Sequence, residues 1–190
     1  MHTIEPFYRW LDLYNSEEDP RSPFFERFHS EFEFTHQIYN YLIHPQWDDI
    51  GSPTLFLRVI YCDYTLSYAI IELIGEWNDA INNDIMLLKR EVADHMIAEG
   101  IKHYMFIGEN VLNFHYSDDS YYEEWFEDLN AVDGWIAFLN FRPHVMDEMK
   151  KCNIDQYVLS GGEFDDFEWR TFMPKQLFKK VETVYRKRLE

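Results

Sequence analysis

The chain has 190 residues, 46% of them hydrophobic and 18% aromatic, which is enough apolar material for one domain core and argues against a disordered chain. Its 17 basic and 35 acidic residues give a net charge of −18, which disfavours nucleic acid and anionic membranes as partners. The most apolar stretch, residues 54–77, is interrupted by charges and makes a poor membrane span, and the first ten residues lack the apolar segment of a secretory signal. The two cysteines, Cys62 and Cys152, have no CxxC spacing, which favours a reduced, cytoplasmic chain without a zinc site.

The acidic excess is unevenly distributed along the chain. From Pro174 onward there are six basic residues and only two acidic ones. The simplest interpretation is a solvated acidic surface with a basic closing helix over residues 174–189. The alternative is that the acidic surface docks a basic partner.

Residues 1–53 form an irregular, aromatic-rich extension that five prolines interrupt. Short helical pieces are predicted near Phe7–Tyr14 and Phe34–Ile43. One aromatic run needs cover, and it is expected to pack on the core or on a second subunit; it consists of Phe24, Phe25, Phe28, Phe32 and Phe34.

From Thr54 onward the apolar pattern predicts regular elements. Residues Thr54–Tyr61 and Ser67–Gly75 predict a β-hairpin. A helix then begins near Asn78 and ends at Gly100. Its predicted apolar face has a spacing of three and four residues and consists of Ile81, Ile85, Leu88, Val92 and Met96.

The second half alternates strands with helices. Strands are predicted over Lys102–Ile107, Gly134–Asn140 and Gln156–Leu159, and helices over Ser120–Leu129, from Pro143 and from Pro174. Ser120 and Glu123 have the spacing of a capping box. The resulting order, β-β-α-β-α-β-α-β-α, predicts an α/β domain over residues 54–190 with a mixed, mostly parallel central sheet.

Several segments resemble, in order, those of the STAS domain, which sulfate transporters and anti-sigma factor antagonists share. The matching segments are residues 68–77, 81–107, 135–145 and 152–157, so the resemblance covers about 54–160. It implies a STAS-like fold and a non-enzymatic regulatory or scaffold protein of a bacterial cell. It also implies contact with another protein, such as a kinase-like anti-sigma factor, and no cofactor.

The resemblance also implies a docking loop. Antagonists of this family carry Asp-Ser-Ser-Gly before the second helix, and their serine is phosphorylated; here the aligned residues are Tyr116, Ser117, Asp118 and Asp119. Ser117 alone matches, and Ser120 offers a shifted Asp-Ser, so both are candidate phosphoacceptors; the alternative is a solvated loop with permanent charge. The predicted partner-binding residues are Phe114, Tyr116, Ser117, Asp118, Asp119, Ser120, Tyr121, Tyr122 and Trp125.

Other functions remain open at this stage. A small apolar ligand or lipid would need a cavity lined by phenylalanine and methionine. A metal-dependent enzyme would need His29, His36 and His44 to converge. A homodimer sealed by residues 1–53 is compatible with each alternative. The sequence contains neither a nucleotide-binding motif nor a nucleophile elbow, so no catalytic residues are predicted.

Overall fold

The computed structural model describes residues 2–189, and their N-terminal part is built of short strands. Strands β1 (His2–Ile4), β2 (His36–Ile38) and β3 (Tyr41–Ile43) form a small sheet in the order β1-β3-β2. The predicted helix near Phe34–Ile43 is therefore wrong. Tyr39 adopts a left-handed φ of 52° and reverses the chain, so the segment pairs with itself as a hairpin. Residues 7–14 make hydrogen-bonded turns and no regular helix.

The main sheet has five strands and carries the rest of the fold. Strand β4 (Asp48–Asp49) lies at one edge, followed in space by β5 (Leu55–Asp63), β6 (Tyr68–Asn78), β7 (His103–His115) and β8 (Trp135–Leu139). The pairings of β4 with β5 and of β5 with β6 are antiparallel, whereas those of β6 with β7 and of β7 with β8 are parallel. The predicted mixed α/β fold is confirmed.

The last predicted strand is much shorter than expected. Residues Ile154–Gln156 form a 3₁₀ turn, and only Leu159 reaches the sheet, through a parallel bridge to Ala137. The predicted domain boundary after residue 53 stays a prediction, although β4 precedes that boundary and belongs to the main sheet.

Helices cover both faces of this sheet. The first predicted helix is divided into α1 (Asp79–Asn82), α2 (Asp84–Leu87), a π-helical turn (Leu88–Ala93) and α3 (Asp94–Ala98). The others are α4 (Ser120–Asn130), α5 (Pro143–Lys151) and α6 (Pro174–Leu189). None of the helices within residues 2–189 has the length and apolar character that crossing a membrane requires.

The break in the first helix explains one error in its predicted apolar face. Asn78 caps α1 by accepting the Ile81 N–H at 3.0 Å, but Asn83 takes a left-handed φ of 54° and ends that turn. The turn before the break is therefore out of phase with the rest, and Ile81 is 82% exposed. The four later residues of the predicted face are buried as expected, namely Ile85, Leu88, Val92 and Met96.

Apolar clusters lie on both faces of the sheet. The larger one packs α2 to α5 against alternate residues of β5 to β8, such as Leu57, Ile71 and Phe106. The opposite face carries two clusters. One lies beneath α6 and includes Ile60 and Ile70, and the other, smaller cluster includes Phe56, Ile74 and Trp47. Residues 2–53 contribute to all three clusters through Trp10, Phe24 and Trp47.

Gly75 gives a test of the close approach between β6 and the start of β5, where it pairs with Leu55. Its φ is +116°, and a Cβ atom there would lie 2.0 Å from the Thr54 carbonyl oxygen. We expect Gly75→Ala to lower the free energy of unfolding by more than about 3 kcal/mol, because strain and a backbone clash add. Urea unfolding measures the loss. Gly100→Ala is the matched control, since φ is also positive there but no atom lies within 4 Å, and a loss of about 1 kcal/mol is expected. Equal losses would contradict the role of the clash.

Candidate functional site

The predicted docking loop lies where the parallel strands end. Strands β6 and β7 end at Asn78 and His115, and the chain then crosses to α4. In open α/β sheets this carboxyl edge is the usual place for binding sites. Tyr116 is 39% exposed there, and four of its predicted companions, Ser117, Asp118, Asp119 and Ser120, are exposed or partly exposed with it.

Three of the predicted docking residues, Phe114, Tyr122 and Trp125, are buried in the core, and their role in partner binding stays a prediction. The Tyr122 hydroxyl donates a hydrogen bond of 2.6 Å to Asp79 Oδ2. The Trp125 ring packs edge-on against Tyr104 and Phe106 in β7. The helical period explains this burial, because positions 122, 125 and 129 of α4 face the sheet. Tyr121 is partly exposed.

The predicted capping box of Ser120 and Glu123 does not form. Asp119 is the N-cap, and Ser120 is the first helical residue. Asp118 Oδ1 accepts the Ser120 N–H at 3.1 Å and also accepts the Ser120 hydroxyl. These hydrogen bonds lower the pKa of the Asp118 carboxyl. The Asp118 side chain has taken the role predicted for Ser120.

Two aromatic residues that the sequence interpretation missed extend this surface. Phe126 is 39% exposed, and its ring centroid lies 6.0 Å from that of Tyr157. The Tyr157 hydroxyl donates to Asp119 Oδ2 at 3.0 Å, which ties the two segments together. The five residues Tyr116, Asp118, Asp119, Phe126 and Tyr157 are called the carboxyl-edge surface below. It is aromatic and acidic.

A second group of polar residues is buried on the sheet face that carries the two smaller apolar clusters. Arg58 lies between Phe56 and Ile60 along β5 and is paired in register with Glu72 of β6. Both side chains are buried. Because a buried charge is unfavourable unless it is paired and hydrogen-bonded, each of them needs partners from elsewhere in the chain.

The N-terminal segment supplies those partners. Arg58 Nη2 donates to Asn15 Oδ1 and to Glu17 Oε1, both at 3.1 Å. Arg58 Nη1 lies 3.5 Å from Asp48 Oδ2. The imidazole of His29 bridges the two acids, with Nδ1 2.8 Å from Glu17 Oε1 and Nε2 2.8 Å from Asp48 Oδ1. These four charged residues and Asn15 are called the Arg58 network.

The charges of the Arg58 network balance when His29 is protonated. The hydrogen bond to Asp48 raises the pKa of His29, and the contact with Glu17 adds to that effect, while partial burial opposes it. Two cations then face two carboxylates in a place with little solvent. Arrangements of this kind either anchor a fold or form a binding site.

Glu72 is the second anchor on this face. Its Oε2 atom accepts the Phe7 N–H at 2.8 Å. Burial raises the pKa of Glu72 to about 7, and the hydrogen bond from Phe7 opposes this shift only in part. In the neighbouring strand β7, Glu109 accepts hydrogen bonds from both Nη atoms of Arg170, at 2.8 and 2.7 Å. Burial alone would raise the pKa of Glu109, but these hydrogen bonds outweigh burial and lower it.

A small cavity of about 170 Å³ adjoins the Arg58 network. Its lining includes Tyr8, Glu17, His29 and Arg58. This mainly polar lining differs from the phenylalanine and methionine lining that the apolar-ligand hypothesis requires. The charges of Arg58 and Glu72 could have been found in the sequence as matching positions on the two strands of one hairpin. In the sequence they are visible only as charges that interrupt the apolar stretch of residues 54–77.

The three histidines of the metal hypothesis do not converge. His29 belongs to the Arg58 network, His36 packs against the ring of Phe56, and His44 packs against that of Phe34. Within residues 2–189, no group of three or more histidine, cysteine or acidic side chains is arranged to hold a metal ion.

Comparison with solved structures finds a counterpart for the fold. The structure entitled the anti-sigma factor antagonist SpoIIAA in its unphosphorylated form aligns over 67% of this chain and 96% of its own, with 12% identity and a TM-score of 0.48. The Bacillus cell fate determinant SpoIIAA in the phosphorylated form aligns over 66% and 98%, with 11% identity and a TM-score of 0.43. At these identities the likeness concerns the fold alone. No protein-family model and no curated protein matches the chain.

The Arg58 network gives a prediction for stability. Arg58→Met removes the cation and leaves Asp48 and Glu17 in a poorly solvated place, so we expect the free energy of unfolding to fall by about 3–5 kcal/mol. Denaturant unfolding measures this loss. Arg90→Met is the control, because Arg90 pairs with Glu124 on the surface, where solvent screens the pair and its contribution to stability is small. A loss at Arg58 no larger than that at Arg90 would show that the network is not an anchor.

Glu72 gives a prediction for the dependence of stability on pH. Its pKa in the folded state lies above the ordinary value of 4.5, so the folded protein binds more protons than the unfolded chain between pH 4.5 and about 7. Stability should therefore fall as pH rises through this window, and His29, whose pKa is also raised, acts in the same direction. Glu72→Gln should remove about 3 kcal/mol of that fall. Exposed Glu127→Gln is the control, and identical pH profiles for all three proteins would refute the assignment.

Proposed function

We propose that this chain is a non-enzymatic regulatory protein that binds another protein through the carboxyl-edge surface. The observation that carries the proposal is the pair of exposed rings, Tyr116 and Phe126, next to the carboxylates of Asp118 and Asp119. Aromatic side chains provide most of the binding energy at many protein interfaces. Phe126 lies in α4, and Tyr116 directly follows the end of β7, so binding should cost little conformational entropy.

The negative charge of this surface indicates the charge of the partner's binding surface. Two carboxylates in the loop and Glu123 and Glu127 on α4 favour a basic protein surface, since complementary charge speeds the encounter and rejects other partners. A kinase-like anti-sigma factor is the partner class that the sequence resemblance implies. A bacterial cytoplasm is the proposed location, which the two free cysteines, Cys62 and Cys152, support.

Ser117 and Ser120 are both exposed and stay candidates for phosphorylation. A phosphate at either position would add negative charge beside Asp118, so it would weaken contact with an acidic partner and strengthen contact with a basic one. The Ser120 hydroxyl donates to Asp118, and a side-chain hydrogen bond from Ser117 also helps to lower the pKa of Asp118, so both candidates lie beside this carboxylate.

The absence of catalysis is part of this proposal. A hydrolytic arrangement of His115, Ser117 and Asp118 would require the histidine to activate the serine. The imidazole Nε2 of His115 instead lies 3.4 Å from Glu76 Oε1. This contact supports a structural role for His115.

Affinity capture with paired variants tests the proposal. Wild-type protein, the double variant Tyr116→Ala with Phe126→Ala, and the control Tyr8→Ala are used as baits in the same cell extract. The bound protein identified with wild type should be recovered at least about tenfold less with the double variant, and undiminished with Tyr8→Ala. Tyr8 is an aromatic residue of the N-terminal segment that is even more exposed, at 64%. Equal recovery with all three baits would contradict the assignment of the carboxyl-edge surface.

A further inference from the structure

A second exposed aromatic surface lies in the N-terminal segment, away from the carboxyl edge. Of the aromatic run predicted to need cover, Phe24 alone is buried, whereas Phe28 and Phe32 are 82% and 84% exposed. Glutamates alternate with these rings at Glu31 and Glu33. Residues 25–34 are called the aromatic-acidic loop. Large apolar side chains exposed in one segment mark a contact site.

A groove runs beside this loop. It encloses about 640 Å³, and Phe28, Trp47 and Phe56 contribute to its apolar lining. Glu26, Glu33 and Asp49 add three negative charges to the same groove, against the one positive charge of Arg27. A matching ligand therefore needs an apolar side chain flanked by cations.

The basic face of α6 has this composition. Lys175, Lys179 and Lys180 are exposed, and none of the three forms an ion pair within residues 2–189. Met173, which is half exposed, precedes the helix, and the ring of Phe172 lies with Lys179 and Lys180 around a shallow depression. These residues are called the α6 face. Its three lysines stand out on a chain of net charge −18, although Glu163, Asp166 and Glu168 line a second depression beside Lys180.

We propose that a second copy of this chain docks its α6 face onto the aromatic-acidic loop and the groove beside it. Within one copy the two surfaces lie over different apolar clusters. Helix α6 packs on the cluster that contains Tyr68 and Ile70, whereas Trp47 and Phe56, which line the groove, belong to the other small cluster. One copy can therefore offer both surfaces at once. The contact is heterologous, so copies add head to tail and either close into a ring or form a longer assembly.

The charges of the two surfaces determine how the assembly should respond to salt. Exposed pairs between lysine and glutamate weaken when ions screen them, while burial of the phenylalanine rings does not. Self-association should therefore be strongest at low ionic strength and persist weakly at high salt. The carboxyl-edge surface takes no part in this contact, so the inference stands apart from the proposed function.

Sedimentation velocity over a range of concentrations tests the proposal with two charge-reversed variants. One carries Lys179→Glu with Lys180→Glu, and the other carries Glu31→Lys with Glu33→Lys; all four positions are exposed. Wild type should form larger species as its concentration rises. Each variant alone should associate at least about tenfold more weakly, because like charges then meet. An equimolar mixture of the two should recover the larger species as alternating copies, since the reversed helix of one matches the reversed loop of the other and the two unchanged surfaces match as in wild type.

A neutral variant separates ring burial from charge. Phe28→Ser with Phe32→Ser should also weaken assembly by at least about tenfold, with unchanged circular dichroism, because both rings are exposed in the single copy. Wild type that stays monomeric throughout would overturn the proposal. So would assembly that neither charge reversal changes, or a mixture that does not associate although both variants are folded.

Discussion

The buried guanidinium of Arg58 is the group on which the rest of the structure depends. It lies in the middle of a strand, between apolar residues, where an unpaired charge would strongly destabilise the fold. The polar groups that pair with it belong to Asn15, Glu17 and Asp48, which are up to 43 residues away in the sequence. The sheet therefore requires the N-terminal segment, which follows the sheet face from Phe7 at Glu72 to the imidazole of His29.

This arrangement determines which surfaces remain free. Helices α2 to α5 cover one face of the sheet, while α6 and the N-terminal segment cover the other. The carboxyl-edge surface and the aromatic-acidic loop both keep exposed aromatic side chains. Both carry carboxylates, whereas Arg58 and Glu72 are buried where the N-terminal segment meets the sheet. The balance of charge in the Arg58 network favours a role in anchoring the fold over a role in catalysis.

The sequence predicted features that depend on neighbouring residues and failed where distant residues decide. Apolar spacing, the Asn78 cap and the stop at Gly100 were sufficient for the element order of residues 54–151. Ile81 was assigned to the wrong face because Asn83 breaks the helix, which spacing alone does not reveal. The helical spacing of Tyr122 and Trp125 predicts that both are buried. The resemblance to the STAS domain instead led to their prediction as partner-binding residues. The Arg58 network joins Asn15, Glu17, His29, Asp48 and Arg58, and no local pattern links these positions.

Hydrogen exchange of individual backbone amides in the native protein tests most directly whether the N-terminal segment and the sheet form one unit. The informative amides are those of Phe7, which donates to Glu72, and Tyr14, which donates to Trp10. If Arg58 and Glu72 bind the segment as described, both amides exchange as slowly as those of β6, because they open only when the whole domain unfolds. Rapid exchange at Phe7 and Tyr14 while β6 stays protected would contradict this coupling and show that the segment opens on its own.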